Sequence, residues 1–306
     1  MEVLYWFEKI RVPGLNELML ALTQLGEETT FLVLALIVFW CVDKKKGYFV
    51  MSVGFLSIMA NQFMKLSFRV PRPWVLDPNF TILEQAREAA SGYSFPSGHT
   101  TVAVAAFVSL GVSARRKITA FVCVLLAVLV GISRMYLGVH TPADVLAGAL
   151  TSLILILLLQ RIPWSELGMG ILVSVMMLLA LALLAFVSFF PFPVDVDAQN
   201  LDSGIQNAYT MIGCMAGVLV VYHGEKKYVN FTTLAVWWAQ ILKVILGLTL
   251  VLAVKEGLRS PLETLIGMEY PARALRYFLV VVTAGLLWPM SFRWFYKLGR
   301  HMEVKK

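Results

Sequence analysis

The stretch SRMYLGVHTPADVLAGALTSLILILLLQ, residues 133–160, decides the fold. Residues 142–160 are almost continuously apolar, close to the ~20 residues needed to cross the ~30 Å hydrocarbon core of a bilayer. Their beginning also reads as a helix start, with Thr141 as N-cap, Pro142 at the first helical position and Asp144 in the first turn. A membrane helix therefore opens on a histidine, His140, and a carboxylate, Asp144, at the edge of the bilayer.

The rest of the chain has the same character. Its 306 residues are 59% hydrophobic and 15% charged, and the mean hydropathy is +0.76, too apolar for a soluble domain. Further apolar segments at 27–42, 47–66, 99–113, 118–137, 168–190, 205–222, 231–254 and 274–289 predict an all-α, polytopic membrane helix bundle of about nine transmembrane helices. A net charge of +7 would suggest nucleic acid in a soluble chain. Here the cations form short clusters between apolar segments, which points to topology and the lipid bilayer, with no nucleic-acid partner. With nine spans and an external N-terminus, Lys44–Lys46, Arg115–Lys117, Lys226–Lys227 and the tail cations Arg300, Lys305 and Lys306 fall inside. The loop at 191–204 is external and acidic through Asp195, Asp197 and Asp202. Residues 1–14 carry Glu2, Glu8, Lys9 and Arg11 and lack a cleavage site, so no signal peptide is expected. Residues 1–25 read as an amphipathic segment along the interface, and 81–90 as a short amphipathic helix. Cys41, Cys123 and Cys214 read as buried small hydrophobes.

Three clusters carry chemistry: Lys65-x6-Arg72-Pro73, then Pro96-Ser97-Gly98-His99, then Ser133-Arg134-x5-His140-x3-Asp144. Taken singly, each residue has an ordinary reading: a snorkelling Lys or Arg, a structural histidine, a charge at a helix start. Together they fall on one predicted face of the membrane. Lys65, Arg72 and Arg134 can neutralise a phosphoryl group. His140 can attack phosphorus if it is neutral and its other nitrogen donates to a fixed acceptor, for which Asp144 is placed. Ser97, Gly98 and His99 open an apolar segment, aiming backbone N–H groups and a positive helix end at an anion. Asn61 and Gln62, about a turn before Lys65, are candidates for supporting contacts. Lys243 lies mid-span, and a carboxylate or carbonyl partner in the bundle is expected for it.

The ordered triplet resembles the signature of the type 2 phosphatidic acid phosphatase superfamily, which includes lipid phosphate phosphatases, glucose-6-phosphatase and vanadium haloperoxidases. The likeness covers about residues 25–160. It implies a six-helix core and metal-independent hydrolysis without a cofactor. It also implies His140 as nucleophile, His99 as acid and then base, Asp144 as orienting group, and Lys65, Arg72, Ser97, Gly98 and Arg134 on the phosphate. The expected organisation is an N-terminal segment at 1–25, a phosphatase core at 26–190 and a three-helix extension at 191–306. The expected activity is hydrolysis of a lipid phosphate monoester or prenyl diphosphate at the external face of the plasma membrane. A soluble sugar phosphate, phosphotransfer to another lipid, and non-catalytic lipid binding or transport are the alternatives. Oligomeric state is left open.

Overall fold

The computed structural model describes all residues except Ala89, Arg115, Asp195 and 304–306, together with the side chains of 299–303. The expectations above for Arg115, Asp195, Arg300, Lys305 and Lys306 lie outside the described residues. Within them the regular structure is entirely helical. That is what a bilayer requires of an open chain, because a helix satisfies its own backbone N–H and C=O groups.

The helices are α1 (Glu2–Lys9), α2 (Pro13–Gln24), α3 (Glu28–Val42), α4 (Lys44–Phe68), α5 (Gly98–Ser113), α6 (Lys117–Tyr136) and α7 (Pro142–Leu159). They continue as α8 (Glu166–Phe189), α9 (Ala198–Val229), α10 (Trp237–Gly257), α11 (Arg259–Ile266), α12 (Glu269–Val282) and α13 (Phe292–Glu303). Among the described residues, seven helices are long and apolar enough to cross a membrane. The pair α2 and α3, bent by 53°, makes an eighth if it is one span, and α5 is a shorter apolar helix. The chain is a polytopic membrane helix bundle.

Three local expectations are corrected. The run 231–254 does not become helical until Trp237, because Asn230 takes up φ 39 and ends α9 in the left-handed region. Hydropathy cannot register such a backbone stop. Half of the expected acidic loop is helix, since the Asp197 carboxylate accepts the Asn200 N–H at 2.7 Å and starts α9 early. Segment 81–90 forms only the single turn Glu84–Ala86. Its backbone is engaged elsewhere: Leu83 N–H donates to the Leu137 carbonyl at 3.2 Å, and Thr81 is held by Glu8.

The chain folds as two compact units, one of Met1–Leu34, Phe49–Ile162 and Phe192–Gly204, the other of Ala35–Tyr48, Pro163–Pro191 and Ile205 onward. In the first, α5 packs against both α6 and α7, and α1 and α2 pack on α6. The N-terminal segment is thus a pair of helices fastened to the core. Tyr5 Oη donates to Asp77 at 2.7 Å, Arg11 Nε to the Tyr136 carbonyl at 3.1 Å, and Tyr136 Oη to Asn16 at 2.7 Å. Helix α7 meets the start of α5 at Gly148, where a Cβ would lie 2.6 Å from the Ser97 carbonyl and 2.8 Å from Thr101 Oγ1. Only glycine permits that approach.

In the second unit, Gly213 and Gly217 form a G-x-x-x-G face on α9, pressed on Ala274 and Val281, and a Cβ at Gly213 would lie 2.1 Å from the Ala274 carbonyl. Small residues allow such close backbones where hydrophobic driving force is absent. Fully buried Lys243 donates to the carbonyls of Trp40 at 2.9 Å and Thr233 at 3.2 Å, with its ammonium 4.5 Å from the Phe292 ring centre. The mid-span cation is satisfied as the structural reading expected.

Candidate active site

The ends of α4 and α6, the starts of α5 and α7, and the connection 69–97 meet in the first unit. Two backbone bonds hold the distant clusters together: Ser94 N–H to the Val70 carbonyl at 2.8 Å and Ser97 N–H to the Asp144 carbonyl at 3.0 Å. Lys65, Arg72, Ser97, Arg134, His140 and Asp144 are all buried.

His140 is the centre of the arrangement. Arg72 Nη1 lies 2.9 Å from its Nε2. A guanidinium only donates, so Nε2 presents its lone pair to Arg72 and the proton resides on Nδ1. That nitrogen lies 3.6 Å from Asp144 Oδ2 and makes no hydrogen bond. The expected short bond between them is therefore open in this state. The reason is visible in the carboxylate: Asp144 Oδ2 accepts from Ser94 Oγ at 2.7 Å and from Thr141 N–H at 2.8 Å, closing a capping box with Thr141 at the start of α7. Burial, followed by the charges of Arg72, Arg134 and Lys65 and by His99, holds the His140 imidazole well below its ordinary value near 6.5. It is therefore neutral, the form in which an imidazole carries a lone pair.

Arg72 is fixed on its other sides by carbonyls, with Nε to Gly92 at 3.0 Å, Nη2 to Ser91 at 2.7 Å and Nη1 to Val139 at 3.0 Å. Lys65 Nζ reaches the same Ser91 carbonyl at 3.5 Å. Arg134, 0% exposed, donates Nη1 to Thr23 Oγ1 at 2.7 Å, while its Nε and Nη2 are buried without a hydrogen-bond partner. His99 Nε2 is likewise buried and unpartnered. Unsatisfied buried donors are costly, and a guanidinium offering two of them beside other cations is suited to an anion.

Ser97 departs from its expected use. Its hydroxyl caps α5, accepting the Thr100 N–H at 3.4 Å and lying 2.9 Å from Thr100 Oγ1, so its side chain is committed to the helix start. Gly98 follows it, where a Cβ would come 3.8 Å from Asn61 Oδ1. Asn61 supports the turn from behind, donating to Thr101 Oγ1 at 3.0 Å and to the Pro96 carbonyl at 3.3 Å.

Two residues of the arrangement carry no signal in the motif spacing. Ser94 could have been suspected from its place two residues before Pro96. Thr23 could not, because nothing local links it to Arg134. Thr23→Val removes the acceptor of Arg134 Nη1, and a rise in KM of about tenfold with kcat less affected is the expected result. Thr23→Ser restores KM. Steady-state kinetics of the two variants check this.

Residues 45–167 match the family model described as the PAP2 superfamily, and residues 209–301 match the model described as PAP2 superfamily phosphatase, transmembrane extension. The chain is 32% identical over 165 residues to phosphatidylglycerophosphatase B of Bacillus subtilis, covering 49% of this chain and 76% of that protein. It is 32% identical over 102 residues to the undecaprenyl-diphosphatase BcrC of Bacillus subtilis, covering 33% of this chain and 50% of that one. It is 29% identical over 140 residues to an undecaprenyl-diphosphatase of Sulfolobus acidocaldarius, covering 45% and 66%. No solved structure is significantly similar to the chain. Buried cations gathered around two histidines at the ends of membrane helices, together with these matches, place the chain in the PAP2 superfamily, with its transmembrane extension.

Proposed function

We propose that the chain is an integral-membrane phosphatase that hydrolyses a lipid phosphate monoester or a prenyl diphosphate through a phosphohistidine. The observation that carries this reading is the buried group of Lys65, Arg72 and Arg134 around His140 and His99, with donors of Arg134 unsatisfied. The phosphatase relatives support it.

In this reading a phosphate enters among the three cations, and Arg72 Nη1 transfers its hydrogen bond from His140 Nε2 to a phosphate oxygen. The freed Nε2 lone pair forms a P–N bond as the P–O bond to the leaving group breaks, and His99, which takes up a proton once the phosphate's negative charge offsets the three cations, gives that proton to the departing oxygen. Asp144, 3.6 Å from Nδ1, stabilises the positive charge that develops on the ring. Neutral His99 then takes a proton from water, which attacks phosphorus. The P–N bond breaks and inorganic phosphate leaves. Charge stabilisation by the preorganised cations is the largest contribution. We assign the catalytic role to the core expected at 26–190 and a supporting one to the extension at 191–306, although the compact units divide the chain differently, with 163–191 grouped with the extension and 192–204 with the site. The site faces the external side of the plasma membrane.

Purified protein in detergent releases phosphate from phosphatidate, phosphatidylglycerophosphate or a prenyl diphosphate in preference to glucose 6-phosphate, and a chelator leaves the rate intact. Preference for the sugar phosphate, or loss of activity on chelation, sinks the reading. The pH profile supplies a second check. Protonation of His140 removes the nucleophile, and its depressed value moves that loss to lower pH. Once corrected for the substrate's own ionisation, the acid limb of kcat/KM therefore lies below the ordinary imidazole value near 6.5.

A further inference from the structure

We propose that a cavity adjoining the catalytic arginine holds a second phosphate of the substrate, on the leaving-group side, and that Arg69 selects for it. This rests on the phosphatase reading above. The cavity measures about 900 Å³ and is lined in part by Arg69, Arg72, Trp74, Arg87, Asp197 and Asn200. Arg72 belongs to both places, since the same guanidinium lies 2.9 Å from His140 Nε2. Arg72 is the one member of the cationic cage among the lining residues, so it is the link between a phosphate at His140 and a group held in the cavity.

The three arginines of the cavity are not equivalent. Arg72 is committed to carbonyls and to His140. Arg87 makes a two-pronged pair with Glu84 at 2.6 and 2.9 Å. Arg69 donates Nη1 to the Leu66 carbonyl at 3.2 Å, and among the described residues no carboxylate pairs with it. Its remaining donors are open at the cavity wall. Arg69 also adopts φ 48 just after α4, a left-handed position where glycine or asparagine is the usual choice. An arginine there is not explained by the backbone.

Glu88 and Asp197 also line the cavity, but the Asp197 carboxylate is engaged in starting α9. The far wall, from Pro193 to Ser203, lies outside both family matches. It adds the amides of Gln199 and Asn200 and the hydroxyl of Ser203, which suit a polar, phosphate-bearing headgroup better than an acyl chain. The second phosphate has two possible sources: the inner phosphate of a diphosphate, or the phosphodiester of a lipid whose headgroup carries the phosphate that is released.

The test compares kcat/KM of the full chain and its Arg69→Gln variant on a prenyl diphosphate, phosphatidylglycerophosphate and phosphatidate, which has a single phosphate. The expected result is a loss about 10- to 100-fold larger on one of the two bisphosphorylated lipids than on phosphatidate. The lipid that suffers the loss identifies the source, and Arg69→Lys recovers part of it. An equal loss on all three lipids, or none, overturns the proposal. Binding separates its failure from failure of the phosphatase reading. In the His140→Ala background, inorganic pyrophosphate binds more tightly than inorganic phosphate, and Arg69→Gln removes the difference. No difference before that substitution also overturns the proposal. Pyrophosphate selectivity in a wild-type chain that hydrolyses none of the lipids leaves the site standing and removes the enzyme.

Discussion

Replacing His140 with alanine abolishes phosphate release, a loss of at least about 10³-fold, because the other imidazole, His99, serves as acid and base in this mechanism and the remaining cage residues are cations without a lone pair to offer phosphorus. The ring is buried but makes few polar contacts. Its Nδ1 has no hydrogen bond, and its Nε2 bonds only to Arg72, which keeps three carbonyl partners without it. The variant therefore stays folded, with an unchanged helical circular dichroism spectrum and melting behaviour. Acid-labile, base-stable labelling of the wild-type protein from a ³²P-substrate, absent in the variant, identifies the intermediate. Undiminished hydrolysis by the folded variant rules the mechanism out. Asp144 behaves differently, because its carboxylate also joins Ser94 to the start of α7. Asp144→Asn lowers stability together with activity, so it is the poorer probe of chemistry.

The second large effect has opposite signs in activity and stability. Arg134→Met lowers kcat/KM by about 10²- to 10³-fold, as loss of a preorganised cation at a charged transition state does. Yet the variant melts no lower than the wild type in detergent. A buried charge without an ion-pair partner is a liability to the folded state, and Arg134 has two donors unsatisfied and repelling neighbours in Lys65 and Arg72, while Glu27 attracts it without forming an ion pair. Methionine fills similar space without that cost. Inorganic phosphate or vanadate, binding to the folded protein alone, raises the wild-type melting temperature by mass action and raises that of the variant much less. Thermal scans with and without anion, beside turnover assays, measure both halves. A variant that unfolds early while still binding anion normally contradicts the assigned role.

Which of these features could be read without coordinates follows from their range. The length and apolarity of a segment and the spacing of Lys65 to Arg72, Pro96 to His99 and Ser133 to Asp144 are properties of short stretches of chain, so the helical membrane class and the residues that come together at the candidate site were legible. So was the start of α7, since an N-cap, a proline and a first-turn acid act within four residues. The helix limits near Asn230 and Asp197 were not, because one backbone angle or one cap moves them against the hydropathy. Nor were the partners of the site. Arg134 is held by Thr23, 111 positions away, and Asp144 by Ser94, 50 positions away. The choice of Arg72 over Asp144 as the group touching His140 depends on fractions of an ångström. Sequence periodicity carries information about which face of a helix is buried. Which polar atoms then meet, and which are left without a partner, is decided by packing in three dimensions.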